Sequence, residues 1–149
     1  MTERETYDPL ALKNQLCFPV YLCAKEITRK YNDLLNDIGL TYTQYVVMMY
    51  FWEMESSNVK QLGEAVMLDP STLTPVLKKL EAKGFLKRER SADDERVLNL
   101  SLTASGRALR EKALPVPGRI RGCCGLTDEE GVQLCGLIMK LLKNIEKEN

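Results

Sequence analysis

The spacing of apolar residues changes between residues 84 and 103, and this change restricts the folds open to the chain. Up to that point, apolar side chains recur every three or four residues, as they do along one face of an α-helix. Residues 85–90 and 97–102 instead have the composition and alternation of short strands, and they flank a polar turn at residues 91–95. We therefore expect a mainly α-helical fold with a small β-hairpin inserted between helices.

Polar residues that cap helix N-termini mark where the helices begin. We expect a first helix from Asp8 and Pro9 to about Asn36, which places Cys17 some two turns inside it. Proline interrupts the helix that follows the hairpin, and residues 122–125 are expected to form a loop or a helix break. The later caps are Thr41 or Thr43, Asn58, Asp69, Thr103, and Thr127 with Glu130 as a capping box.

The predicted order of elements is helix, helix, helix, two-stranded hairpin, helix. This order is that of winged helix-turn-helix proteins, in which the second helix of a two-helix unit enters the DNA major groove. Here residues 58–66 and 70–83 form that unit, and the hairpin turn is the wing. The chain has 21 basic and 21 acidic residues overall, but residues 76–90 hold six basic residues against two acidic ones. The alternative interpretation is a solvated charged helix beside an ordinary surface hairpin.

The residues predicted to contact DNA lie on the outer face of the second helix and on the hairpin. Hydroxyl groups reach phosphates and base edges, and lysines place positive charge beside phosphates. Arg96, held by the neighbouring Asp94, is the candidate for insertion into the minor groove. The full set is Ser71, Thr72, Thr74, Lys78, Lys79, Arg88, Arg90, Asp94 and Arg96.

Segments of this region resemble the MarR family of winged-helix regulators: LTPVLKKLE at residues 73–81, GFL at 84–86, and DDER at 93–96, followed by Thr103 and Gly106. The resemblance implies one MarR-type domain over residues 1–149, with a winged helix-turn-helix at 41–103 and dimerisation helices at 8–40 and 104–149. It also implies a homodimer that binds a palindromic double-stranded operator. Independently, the first and last helices carry apolar stripes too broad for a small winged core to cover.

The five cysteines and the absence of histidine limit the chemistry of the chain. An odd number of cysteines without a C-x-x-C pair argues against a disulfide framework and a zinc site. Without histidine there is no Ser-His or Cys-His nucleophile pair, so we expect no catalytic residue, no metal and no cofactor. The sequence shows no signal-peptide run and no stretch of about 20 apolar residues. We therefore expect a cytoplasmic protein that does not contact membranes.

The segment QLCFPVY around Cys17, together with Tyr31 and LTYTQY at residues 40–45, resembles the branch of MarR regulators that senses organic hydroperoxides. The resemblance implies that Cys17 is oxidised, and that Tyr31 and Tyr42 of the partner subunit hydrogen-bond to its reduced form. Helix geometry agrees with a contact between subunits. Tyr31 lies 14 residues after Cys17, which is about 21 Å along one continuous helix at about 1.5 Å per residue.

The same resemblance implies a resolving thiol in the C-terminal part of the partner chain, and both Cys124 and Cys123 fit its position. We expect them in the glycine-flanked break, where a mobile segment would let a thiol travel. Cys23 and Cys135 lie on apolar helix faces and are expected in the core. Pro19, two residues after the sensing cysteine, departs from the family pattern and is expected to bend the first helix.

The combined prediction is a redox-sensing repressor that releases its operator when Cys17 is oxidised by an organic hydroperoxide or a related oxidant. One alternative is a MarR-type repressor gated by a small phenolic or lipophilic ligand, bound between the dimerisation and DNA-binding parts. A second is a sensor of another oxidant, such as hypochlorite, a quinone or nitric oxide. A third is a thiol-dependent peroxidase, against which the missing histidine and missing C-x-x-C count.

Overall fold

A computed structural model describes residues 8–92, 94 and 96–146 of the chain. The chain divides into two compact units, Met1–Leu114 and Pro115–Asn149. The second unit consists of α6 (Val116–Cys124) and α7 (Asp128–Glu146). The elements of the first unit are, in order, α1 (Cys17–Leu35), α2 (Tyr42–Met54), β1 (Ser56–Asn58), α3 (Val59–Val66), α4 (Pro70–Ala82), β2 (Leu86–Arg90), β3 (Leu98–Leu102) and α5 (Ala104–Ala113).

The first helix begins nine residues later than expected, at Cys17. The preceding residues form a 3₁₀ turn over Leu12–Asn14, in which the Asn14 N–H donates to the Ala11 carbonyl oxygen at 2.9 Å and two side chains add further hydrogen bonds. Asn14 Nδ2 donates to the Asp8 carbonyl oxygen at 2.7 Å, and Gln15 Nε2 donates to the Pro9 carbonyl oxygen at 2.6 Å. Side-chain amides that bond backbone carbonyls offer the chain an alternative to the helix, and this competition separates residues 8–16 from α1.

The central helix of the first unit is α2, as its apolar composition predicts. Thr41, and not Thr43, caps it, because Thr41 Oγ1 accepts from the Gln44 N–H while Gln44 Oε1 accepts from the Thr41 N–H at 3.2 Å. Three of its side chains, Val47, Met48 and Phe51, are fully buried. The rest of the fully or nearly fully buried apolar core comes from Leu35, Leu62, Leu73, Leu77, Leu80, Leu86 and Leu100.

The two-helix unit has the predicted caps. Asn58 caps α3 in a reciprocal box with Gln61, and the Asp69 carboxylate caps α4. Between the helices, Met67 has a φ of 54°, a left-handed conformation that lets the chain turn sharply toward Asp69. Pro70 occupies the first helical position of α4, where its missing N–H removes no hydrogen bond.

The hairpin forms as predicted, but the sheet has a third strand that the sequence analysis did not predict. Strands β2 and β3 pair antiparallel, with Leu86 opposite Leu102. The segment Ser56–Asn58 pairs with the other edge of β3, which gives the strand order β1-β3-β2. Its Ser-Ser-Asn sequence has no apolar alternation, so only pairing with a distant strand makes it β structure. The predicted mainly α-helical fold with a small antiparallel sheet is confirmed.

Gly106 allows α5 to pack closely against the end of the hairpin. A Cβ built on Gly106 would lie 2.2 Å from the Phe85 carbonyl oxygen and 2.8 Å from Leu102 Cδ1, which is inside van der Waals contact. Thr103 caps α5 by accepting from the Gly106 N–H at 2.9 Å. The Gly106 carbonyl oxygen in turn accepts from Trp52 Nε1 of α2 at 2.9 Å. Only glycine fits this junction without displacement.

The second unit contains two helices joined by a short turn. Helix α6 continues through Gly122 to Cys124 and ends at Gly125, whose φ is 65°. Of the break expected over residues 122–125, only Gly125 lies outside the helix. Gly122 is tolerated inside α6, while the left-handed conformation of Gly125 ends the helix. The predicted box at Thr127 and Glu130 forms, with hydrogen bonds of 2.8 and 3.2 Å. Within the residues that the structure describes, no helix is both long and apolar enough to span a membrane.

Candidate nucleic-acid interface and redox site

The first two turns of α4 carry the three hydroxyl groups predicted to contact DNA. The Asp69 carboxylate accepts hydrogen bonds from Ser71 Oγ, from the Thr72 N–H at 2.9 Å and from Thr72 Oγ1 at 3.0 Å. Thr74 Oγ1 donates to the Pro70 carbonyl oxygen at 2.7 Å. The hydrogen bond from Ser71, followed by those from Thr72, lowers the pKa of Asp69 to about 2. These hydroxyl protons are used within the chain, so in this arrangement the hydroxyl oxygens can offer a ligand only acceptor positions.

The lysines of the basic segment have two different roles. Lys78 and Lys79 on α4 are exposed, and within the described part of the chain neither forms an ion pair. Lys83 Nζ instead donates to Gln44 Oε1 at 2.9 Å and to the Gly39 carbonyl oxygen. Lys83 therefore ties the end of α4 to the turn before α2. Lys78 and Lys79 are thus the exposed lysines of α4 that remain available for contact with an anion.

Two basic residues of β2 form ion pairs with acidic side chains. Arg88 Nε donates to Glu81 Oε2 of α4 at 2.7 Å, and the Arg88 side chain is only 22% exposed. Lys87 Nζ lies 2.7 Å from Glu89 Oε1 on the surface. Arg90, at the end of the strand, is exposed. The predicted DNA contact of Arg88 thus requires its guanidinium to share or leave Glu81.

The wing connects β2 to β3 and carries the arginine predicted for the minor groove. The Ser91 N–H donates to the Val97 carbonyl oxygen at 2.9 Å and closes the hairpin. Asp94 Oδ1 accepts from the backbone N–H of Arg96 at 2.9 Å. Asp94 therefore shapes the turn through the backbone of Arg96, and both side chains are exposed. The other acidic residues of the DDER motif, Asp93 and Glu95, lie outside the described residues.

Cys17 is the first residue of α1 and is exposed. The expectation that it lies two turns inside a helix is wrong, because the side-chain hydrogen bonds of residues 14 and 15 delay the helix start. Pro19 is consequently the third residue of α1. N–H groups in the first turn have no acceptor within their helix, so proline removes no hydrogen bond there. The reason for expecting a bend at Pro19 does not apply to this structure.

Tyr31 and Tyr42 lie side by side at the junction of α1 and α2. Their ring centroids are 4.9 Å apart, and Asn32 Oδ1 accepts from the Tyr42 N–H at 2.8 Å, which fixes the start of α2 against α1. Because α1 is continuous from Cys17 to Leu35, Tyr31 stands about 21 Å along the helix axis from Cys17. The structure brings the two tyrosines together and separates both from the cysteine of the same chain.

Tyr45 extends the tyrosine pair into the core, and the sequence analysis did not single it out as a site residue. Its ring lies 5.9 Å from that of Tyr31 and 6.1 Å from that of Trp52. Burial, and secondarily the neighbouring Tyr42, raise the pKa of Tyr45. The spacing of Tyr42 and Tyr45, three residues apart at the start of a capped helix, was the signal for a shared face. The ring of Tyr45 therefore packs against the tyrosine pair and limits the rotation of the Tyr31 ring.

The remaining cysteines are all exposed in the single chain. Cys123 and Cys124 are the last two residues of α6, so the expected glycine-flanked break does not contain them. Cys23 on α1 and Cys135 on α7 are also exposed, so the expectation that they lie in the core is wrong for the isolated chain. Their helices carry apolar stripes that exceed what one chain covers, and the spacing of apolar residues cannot distinguish a core from a surface between subunits.

Comparison with known proteins places the chain in a family. The family model described as transcriptional regulator SarA/Rot matches residues 29–113. The organic hydroperoxide resistance transcriptional regulator of Bacillus subtilis is 41% identical over 143 residues, which are 96% of this chain and 97% of that protein. The chain belongs to the MarR family of winged-helix transcriptional regulators.

Solved structures of another regulator, AbfR of Staphylococcus epidermidis, agree with this assignment. Reduced AbfR bound to DNA superposes on this MarR-family chain with a TM-score of 0.80 at 33% identity, covering 91% of this chain and 93% of that one. AbfR with its disulfide formed superposes with a TM-score of 0.67 at 35% identity, covering 91% and 92%.

This MarR-family chain also has a groove between α3 and the wing, which sequence reasoning did not identify. The groove has a volume of about 750 Å³ and extends from the start of α3 to the start of β3. Apolar side chains, among them Val59, Met67 and Val97, form most of its wall, and Lys60 and Arg96 stand at its edges. It borders Pro70, the first residue of α4, and therefore adjoins the predicted DNA-contacting face.

Proposed function

We propose that this chain is a transcriptional repressor that binds operator DNA as a homodimer and releases it when Cys17 is oxidised by an organic hydroperoxide or a related oxidant. The observation that carries the proposal is the exposed Cys17 at the start of α1, in a chain 41% identical over nearly its whole length to an organic hydroperoxide resistance regulator. The adjacent tyrosines Tyr31 and Tyr42, which α1 separates from the Cys17 of the same chain, support it.

Homodimerisation follows from the apolar surface that the chain leaves uncovered. Leu10 and Leu16 before α1, and Leu137 and Ile145 on α7, are each more than half exposed. Exposed apolar side chains on this scale mark an interaction surface rather than a solvated one. A second copy supplies the cover, and residues 8–40 and 104–149 are the segments that provide it.

DNA recognition follows from the arrangement of α4 and the wing. Helix α4 enters the major groove, where Ser71, Thr72 and Thr74 face base edges and phosphates, and Lys78 and Lys79 neutralise phosphates. The wing carries Arg96 to the minor groove, while Asp94 holds its backbone. Arg88 and Arg90 add positive charge along β2. The symmetry of a dimer implies a palindromic double-stranded operator.

The switch begins with the reduced thiol of Cys17, beside the hydroxyls of Tyr31 and Tyr42 of the partner subunit. The Cys17 thiol ionises, and its thiolate attacks one oxygen of the hydroperoxide; the O–O bond breaks, the sulfur becomes a sulfenic acid, and the alkoxide takes up the thiol proton and leaves as the alcohol. The thiol of Cys124 or Cys123 of the partner subunit then ionises and attacks the sulfenic sulfur, and the displaced hydroxide takes up that proton to form water. The resulting intermolecular disulfide pulls on the helices at both ends of the chain, and the two recognition helices lose the spacing that the operator requires.

The proposed role is regulatory rather than enzymatic. The chain has no histidine to pair with a nucleophile, and each oxidation leaves Cys17 in a disulfide that a separate reductant must reopen. One oxidant molecule therefore changes one site instead of being turned over. Because the partner is chromosomal DNA, the proposed location is the cytoplasm.

The decisive experiment compares reduced and peroxide-treated protein on an operator fragment selected from genomic DNA. Fluorescence anisotropy with cumene hydroperoxide should show DNA release by the wild type and none by Cys17→Ser. Cys23→Ser is the matched control, because Cys23 is an exposed thiol on the same helix, and it should behave like the wild type. Non-reducing mass spectrometry should find Cys17 joined to Cys124 or Cys123. The proposal is wrong if Cys17→Ser releases DNA with the same dose response.

A further inference from the structure

The groove between α3 and the wing lies between the two surfaces that the proposed function assigns to different DNA grooves. One border is Pro70, the first residue of the recognition helix, and the other is formed by Val97 and Leu98 at the base of the wing. In B-form DNA a sugar–phosphate strand separates the major groove from the minor groove. A dimer with α4 in the first and the wing in the second must therefore pass that strand across the groove.

The charges around the groove suit a phosphodiester strand. Lys60, on the first turn of α3, and Arg96, on the wing, both line it, and both are exposed. Over residues 8–92, 94 and 96–146, neither cation forms an ion pair. Glu64, one helical turn after Lys60, is the acidic residue of the lining. The site thus combines two available cations with one carboxylate that opposes a phosphate.

We infer that this groove binds the DNA backbone, with Lys60 as a phosphate contact and Glu64 as a repulsive element that moderates affinity. The inference rests on the proposed DNA-binding function and adds residues that the α4 and wing set does not contain. The apolar wall at Val59 and Met67 offers contact to deoxyribose, while the charged edges meet the phosphates on either side. Because phosphates are alike in every sequence, the contribution is to affinity and not to operator choice.

Lys60 and Glu64 carry opposite charges, so the inference predicts that neutralising each one changes the affinity for DNA in opposite directions. Reduced Lys60→Ala should bind its operator more weakly at low salt, by roughly three- to tenfold, and its slope of log K against log salt should flatten by about 1.8, or about 0.9 for each of two subunits. Reduced Glu64→Gln should bind more tightly at low salt, and the gain should shrink as salt screens the charge. Lys60→Arg should restore the wild-type slope.

Two residues outside the groove provide matched controls. Glu53→Gln on α2 makes the same charge change as Glu64→Gln, and Lys83→Ala at the end of α4 makes the same charge change as Lys60→Ala. Neither residue belongs to the segments proposed for dimerisation, and both variants should leave the salt slope unchanged. Circular dichroism melting establishes that each variant is folded. If Lys60→Ala binds with the wild-type affinity and slope while the wild type binds DNA, this inference is overturned and the proposed function stands. If the reduced wild type binds no DNA, both fail together.

Discussion

The rings of Tyr31 and Tyr42 are 4.9 Å apart, and α1 carries them about 21 Å along its axis from the Cys17 of the same chain. A tyrosine pair that serves a cysteine must therefore serve the cysteine of another copy. The proposed switch therefore exists only in the dimer. In a mixed dimer, the cysteine can be kept on one subunit and the intact tyrosines on the other.

Mixed dimers test whether the tyrosines act between subunits. Tyr31→Phe/Tyr42→Phe should slow oxidation of Cys17 by at least roughly tenfold, because hydrogen bonds to a charged sulfur are lost. In heterodimers of that variant with Cys17→Ser, the one remaining Cys17 faces intact tyrosines only if the contact crosses subunits. Tagged heterodimers should then react at the wild-type rate in a stopped-flow assay, and a slow rate in them would contradict the arrangement.

Lys79→Ala and Lys83→Ala should affect different properties, the first DNA binding and the second stability, although both residues belong to one basic segment. Loss of the exposed Lys79 should weaken binding to many DNA sequences and flatten the salt slope by about 0.9 per subunit. Loss of Lys83 removes the hydrogen bonds to Gln44 and the Gly39 carbonyl oxygen, so it should lower the melting temperature and leave the salt slope unchanged. Anisotropy titrations at several salt concentrations, together with thermal melts, separate the two effects.

Gly106→Ala should destabilise the first unit by about 2 kcal/mol or more, because overpacking a tight junction displaces backbone. The added methyl group would meet the Phe85 carbonyl oxygen at 2.2 Å. Gly118→Ala in α6 is the matched control, since nothing lies within 4 Å of the added Cβ there. Urea unfolding should show a lower midpoint for Gly106→Ala alone. Equal midpoints for both variants would mean that the junction has room for a side chain.

The Asp69 cap should contribute stability in a defined pH range. Its pKa falls from an ordinary 3.8 to about 2 in the folded chain, so its stabilising effect is complete above the unfolded value and disappears as pH falls through the folded one. Asp69→Ala should therefore melt several degrees below the wild type near pH 7, and the gap should close between about pH 4 and pH 2. Asp69→Asn should melt above Asp69→Ala, because asparagine also caps helices. A gap that persists at about pH 2 would contradict the cap's assigned role.

Local residue patterns were sufficient for most of the fold. Asn58, Asp69, Thr103 and Thr127 cap helices through hydrogen bonds to residues three positions away, so a short window of sequence contains both partners. The change of apolar period likewise located the hairpin without reference to any other part of the chain. The predicted arrangement of the recognition helix and the wing rests on these local signals.

The functional sites depended more strongly on distant contacts. The sequence could count Lys83 and Arg88 as basic, but only the folded chain brings Gln44 to the first and Glu81 to the second. Tyr31 and Tyr42 were identified by resemblance to a family. Their contact with each other, and the support of Tyr45 behind them, arise from the packing of α1 on α2.

Most helix starts, and the hairpin, could be predicted from the amino-acid sequence, because capping and periodicity act over a few residues. The start of α1 at Cys17 was not predicted, although it follows from side-chain hydrogen bonds that Asn14 and Gln15 make to residues six positions earlier. Only the folded chain makes Ser56–Asn58 a strand, since its hydrogen-bond partners lie on β3 more than 40 residues away. That outcome depends on which groups the fold brings together, and no local pattern encodes it.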